Sequence, residues 1–207
     1  MAELNRYNMK KNNIIRFVQS LILLPFVTGS ATPFGNIIKN PINESVQIVF
    51  TQKNNTETTA LNKLADKKAK SLAIDAYFET RGMPLAGTGM KMVEEAEKND
   101  LDWRLLPAIA IRESTGGKFA CKGATYSSFG WGSCKINFDS HEENIEVVAK
   151  NLGGNNPNTA RHYADKTVKQ ILQAYNPPSV VPRYAEQVMD IMNVIGEADE
   201  VVVIAQG

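Results

Sequence analysis

The run AIAIRESTGGKFACKGATYSSFGWGSC, residues 108–134, limits what this chain can fold into more than any other stretch. An apolar pattern runs into a glycine pair, and the two cysteines of the chain then bracket small, polar and aromatic residues. Leu105, Leu106, Ile109, Ala110 and Ile111 form the buried set of a helix, with Asp102 as a candidate N-cap. Pro107 would cost a hydrogen bond deep in a helix, so the regular turns are expected from about residue 105. Gly116 and Gly117 end them. Glu113 therefore falls in the last turn, where unpaired carbonyls favour a protonated acid over a carboxylate. That position admits two readings: a solvated glutamate at a frayed helix end, or a proton donor for an oxygen in a cleft.

The rest of the pattern from 72 to 195 is also helical. Gly82 and Pro84 break the chain before a helix over about 87–98, which Asn99 and Asp100 close. Ile145, Val148, Ala149 and Leu152 make an amphipathic stripe over 142–152. A helix is expected over 166–175, and Pro182 opens a last one that carries Tyr184, Val188, Ile191, Met192 and Ile195 inward. Between 116 and 140 no clean period survives, which predicts a small, mainly α domain with one irregular lobe. Residues 45–52 (SVQIVFTQ) and 200–207 (EVVVIAQG) read as short strands, and 58–70 as a polar helix with Leu61, Leu64 and Ala65 on one side.

The N-terminus reads as an export signal over 1–31, with Met9 as its natural start. A basic segment from Met9 to Arg16 precedes the apolar run 17–27, and small residues up to Ala31 supply a cleavage site. That run is about half of the roughly 20 residues needed to span a bilayer, so no stable membrane span is expected after cleavage. The domain plan is the signal, a polar linker or arm over 32–70, a catalytic domain over 71–196 and a tail over 197–207. A net charge of +1 argues against a nucleic-acid partner. Outside the cytosol Cys121 and Cys134 read as a disulfide. The alternatives are free buried thiols, or a zinc site completed by His141 and His162.

The segment LDWRLLPAIAIRESTGGK (101–118) resembles the catalytic helix of the lysozyme-like peptidoglycan glycosidases, which ends in Glu-Ser. SSFG (127–130) is similar to the Phe-Gly element of the mannosyl-glycoprotein endo-β-N-acetylglucosaminidase-like family. QAYNPPSVVPRYAEQV (173–188) resembles the Ala-Tyr-Asn element and following helix of lytic transglycosylases. The resemblance covers about 70–196 and implies a lysozyme-like α+β fold, with the irregular lobe forming one side of a cleft. It implies Glu113 as general acid and Ser114 as a residue steadying it. Phe129 and Gly130 would line the cleft, and Tyr175 and Asn176 would face the reacting sugar. The Gly-Leu-Met-Gln element of many transglycosylases is replaced by GWGSCKINF (130–138), and Pro177 stands where a glycine often follows Ala-Tyr-Asn. Both departures favour the glucosaminidase side.

The implied activity is exported cleavage of peptidoglycan glycan strands, the alternatives being a lytic transglycosylase with 1,6-anhydro products or an inactive glycan-binding module. No metal or organic cofactor is implied, and oligomeric state is left open. Two-carboxylate hydrolysis needs a partner roughly 5–9.5 Å from the acid. Asp139, Glu142 and Glu143 are the candidates; they also read as the cap and acidic first turn of the next helix. Tyr126, Phe129 and Trp131 are either sugar-stacking faces or a small core under the lobe. Lys118, Lys122 and Lys135 give the lobe a basic character that suits stem-peptide carboxylates or simply a solvated surface.

Overall fold

The computed structural model describes the backbone over residues 42–206 and side chains over 58–197; the export-signal reading of 1–31 lies outside the described residues. The chain divides between Val46 and Gln47, and the second unit holds the hydrophobic core. The described residues are mainly helical, with no strand among them. The helices are α1 (Ile42–Thr80), α2 (Gly89–Lys98), α3 (Leu105–Ser114), α4 (His141–Leu152), α5 (Ala160–Tyr163), α6 (Val168–Tyr175) and α7 (Tyr184–Gln206), with a 3-10 turn at Trp131–Cys134.

Both strand expectations give way to helix. Residues 45–52 lie inside α1 and 200–206 inside α7. Alternating β-branched residues are only a weak strand signal, because strand preference depends on a sheet to pack against. Each of these segments continues a helix that docks elsewhere along its length. α1 enters the core only near its end, through Ser71, Ala73, Ile74 and Phe78, while Leu61 and Leu64 stay exposed. It stops in a Schellman cap: Gly82 is left-handed, its N–H donates to the Glu79 carbonyl, and Met83 N–H reaches back to Phe78.

Asp75 of α1 accepts the N–H groups of Gly87 and Gly89, both at 2.9 Å, and so caps the start of α2 from a neighbouring helix. The approach there is close enough that a Cβ at Gly89 would lie 2.4 Å from the Ser71 carbonyl oxygen. Lys63 and Lys67 both pair with Glu97, a further tie between α1 and α2.

α3 is the centre of the unit. Every residue from Leu105 to Ala110 is buried, and the helix packs chiefly against α7, with α2 on another side. It begins at Leu105, so Pro107 occupies the third helical position, where no intrahelical partner awaits its missing N–H. Arg104 holds the N-cap position of the regular helix without a side-chain cap, and Asp102 acts one turn earlier. Its carboxylate accepts the Arg104 backbone N–H at 2.9 Å and holds the same residue's guanidinium through Nε at 2.9 Å and Nη2 at 2.6 Å. At the other end Thr115, Gly116 and Gly117 are all left-handed. A Cβ on Gly116 would meet Met83 Sδ at 2.6 Å, so this turn is sealed against the α1–α2 connection.

Candidate functional site

Glu113 stands in the last turn of α3, half-buried, at one side of a cleft of about 520 Å³. Opposite it run Gly130 and Trp131, next to Phe129, whose side chain is fully buried in the core and so presents no stacking face. The end of α6 contributes Tyr175 and Asn176. The two carboxylate oxygens have different surroundings. Oε1 accepts a 2.6 Å hydrogen bond from the Tyr184 hydroxyl, at the first residue of α7. Oε2 faces Gly130, where an added Cβ would lie 3.3 Å away. Gly130 is left-handed (φ 64°), so both backbone shape and space favour glycine there.

Two phenols, Tyr184 and Tyr175, lie close enough to feel this carboxylate's charge, and a third, Tyr163, lines the same cleft. Burial first, then the Glu113 charge and the bond to it, push the Tyr184 hydroxyl far above the ordinary tyrosine value. Tyr175 is raised by burial, then by Glu113 and Tyr163, and its hydroxyl donates to the Phe129 carbonyl oxygen. Tyr163 is raised by burial. All three therefore stay neutral O–H donors across physiological pH. Their rings form one aromatic wall: Tyr175 stacks on Tyr184 at 6.0 Å, and Trp131 lies 5.8 Å from Tyr175 and 6.2 Å from Tyr163.

The remaining expected residues fall outside the cleft. Ser114 is buried and latches the helix end to the lobe: its hydroxyl donates to the Ser128 carbonyl at 2.6 Å and accepts the Gly117 N–H at 2.9 Å. Tyr126 is exposed and packs edge-on against His141, with ring centres 5.0 Å apart. Asp139, Glu142 and Glu143 serve the start of α4. Ser140 caps it through the Glu143 N–H, the Glu143 carboxylate accepts the Asp139 N–H at 2.5 Å, and backbone N–H donation at this helix end, with Ser140, holds Glu142 below the usual carboxylate range. Glu113 is the single carboxylate among the described residues that line the cleft.

Cys121 and Cys134 form a disulfide, which removes both thiolates from the alternative zinc set. Among the described residues no group of three or more His, Cys, Asp or Glu side chains is placed to hold a metal ion. No helix among them is long and apolar enough to cross a membrane.

No family model, curated protein or solved structure matches the chain.

Two site residues escape a reading of the sequence. Periodicity puts Tyr184 on the inward face of the last helix, and only the fold shows that its hydroxyl meets a carboxylate 71 residues away. A usable signal exists, since a tyrosine on a buried face needs a polar partner. Tyr163 carries no such signal: it sits on the four-residue α5, too short to show a period.

Proposed function

We propose that the chain is an exported bacterial cell-wall glycosidase that cleaves the glycan strands of peptidoglycan, with Glu113 as general acid. The observation that carries this reading is the asymmetric setting of that carboxyl group. Tyr184 holds one oxygen, and the other opens past Gly130 into a cleft walled by Trp131 and Tyr175. On this reading the unit is a lysozyme-like domain, and residues 116–140 are the lobe that the Cys121–Cys134 bond clamps to make the second side of the cleft. Aromatic faces beside a positioned acid suit a polymer of sugar rings, whose apolar C–H faces stack on indole and phenol.

Glu113 Oε2 delivers its proton to the glycosidic oxygen as the bond from that oxygen to C1 breaks. With no second carboxylate among the described lining residues, an atom of the substrate itself attacks C1. If that atom is the acetamido oxygen, a cyclic oxazolinium forms and water then opens it, with the Glu113 carboxylate accepting a proton from that water. If it is the 6-hydroxyl, its proton passes to the Glu113 carboxylate and a 1,6-anhydro sugar leaves without consuming water.

The second route is the transglycosylase reading, favoured by Tyr175 and Asn176 of the Ala-Tyr-Asn element lining the cleft; Asp139, Glu142 and Glu143 at the start of α4 fit either route. Digestion of purified sacculi decides between the routes: a reducing N-acetylglucosamine end marks the hydrolase, and a 1,6-anhydro-muramic end the transglycosylase. Glu113→Gln should abolish muropeptide release while sacculus binding persists. Failure of the wild type to release any muropeptide would leave only a glycan-binding module.

A further inference from the structure

The asparagine- and glycine-rich segment NLGGNNPNTARHY (151–163) takes no part in holding Glu113, yet it is tightly built. The Asn151 carboxamide oxygen, on a buried side chain, accepts the Thr159 hydroxyl at 2.6 Å and the Asn156 amide at 2.9 Å. Asn155 donates to the buried Asn99 at 3.0 Å. A Cβ at Gly153 would lie 2.3 Å from the Asn99 carbonyl oxygen, and one at Gly154 would lie 2.6 Å from Ala164 Cα. This network fixes a helix of only four residues, α5, and the buried residue that α5 delivers is Tyr163.

Tyr163 lines the Glu113 cleft and is 8% exposed. Among the described residues its hydroxyl has no hydrogen-bond partner, unlike those of Tyr175 and Tyr184, and yet it is not sealed from solvent. A phenol so buried ordinarily finds an acceptor within the protein. Its neighbour is the Trp131 ring, 6.2 Å away, which in turn lies 5.8 Å from the Tyr175 ring. A donor beside an indole face fits a ligand group that joins an acceptor oxygen to a small apolar cap. On an amino-sugar polymer that group is the acetamide.

We infer that Tyr163 is a specificity-determining residue, whose hydroxyl donates to the acetamido carbonyl of an N-acetylhexosamine seated against Trp131. This rests on the glycan-cleaving reading above. The test is calorimetric binding of chitotetraose, and of its fully de-N-acetylated counterpart, to full-length protein carrying Glu113→Gln so that nothing is cleaved. Adding Tyr163→Phe, which keeps the ring, should weaken chitotetraose about five- to ten-fold and leave the de-N-acetylated ligand unchanged. An unchanged chitotetraose affinity, or an equal loss for both ligands, overturns the role of Tyr163 and leaves the glycan-cleaving reading standing. If neither chitotetraose nor sacculi bind the Glu113→Gln protein, the function itself fails and the inference goes with it. Matched thermal melts of the two proteins show that the comparison is between folded chains.

Discussion

At the scale of single residues, the cleft turns on what surrounds the two oxygens of Glu113. Tyr184→Phe removes the donor on Oε1 and keeps the ring that stacks on Tyr175. A hydrogen bond to a charged group contributes about 1.5–3 kcal/mol, so on the proposed reading kcat should fall roughly ten- to a hundred-fold with little change in KM. Gly130→Ala acts on the other oxygen. It forces a side chain into a left-handed backbone, costing roughly 1–2 kcal/mol, and places a methyl 3.3 Å from Oε2. Both a lower melting temperature and slower muropeptide release are expected. Glu113 is legible in the sequence because its signal is local: an apolar helix, a carboxylate and two glycines in a row. The pairing with Tyr184 is not, because a contact across 71 residues leaves no trace in spacing.

At the scale of elements, the wall opposite Glu113 has almost no regular structure of its own. Gly132, Ser133 and Cys134 come in succession with φ of 64°, 56° and 60°, a left-handed turn that two residues with a Cβ adopt only at a cost. The Cys121–Cys134 bond, the Ser114 latch and the Tyr175 bond to Phe129 hold the segment around it. Replacing both cysteines by serine should lower stability by up to about 3 kcal/mol, the loop-closure figure for such a spacing, as read by denaturant unfolding. Activity should fall in parallel, since Gly130 and Trp131 lie between the cysteines; unchanged turnover would show that the hydrogen bonds suffice. Ser114→Ala removes a buried hydroxyl that serves three backbone groups, the Ala110 and Ser128 carbonyls and the Gly117 N–H, and about 1–3 kcal/mol should be lost. The helices over 89–98, 105–114, 141–152 and 168–175 lie close to where periodicity and caps put them. Residues 45–52 and 200–206 do not obey the strand pattern, because two-residue alternation does not say whether a sheet exists to receive it.

At the scale of the whole molecule, His141 couples the fold to pH. Its ring is half-buried against Tyr126 and lies 3.3 Å from the Ser128 hydroxyl, and burial pulls its pKa below 6.5, with Glu142 opposing. A base held neutral in the folded state is protonated more readily in the unfolded one. Stability should therefore decline as pH falls through 6.5, until the folded ring itself takes a proton. His141→Gln should flatten that slope in melts recorded between pH 7 and 5.

The same neighbourhood has a kinetic side. Ser128 lies in a loop, yet its N–H donates to the buried Asn144 of α4 at 3.0 Å while its carbonyl receives Ser114 from α3. A loop amide bolted between two core helices can open to solvent only when those helices part. Its proton should therefore exchange with deuterium on the timescale of the α3 interior, hours behind the amides of Lys122 and Gly123 a few residues earlier.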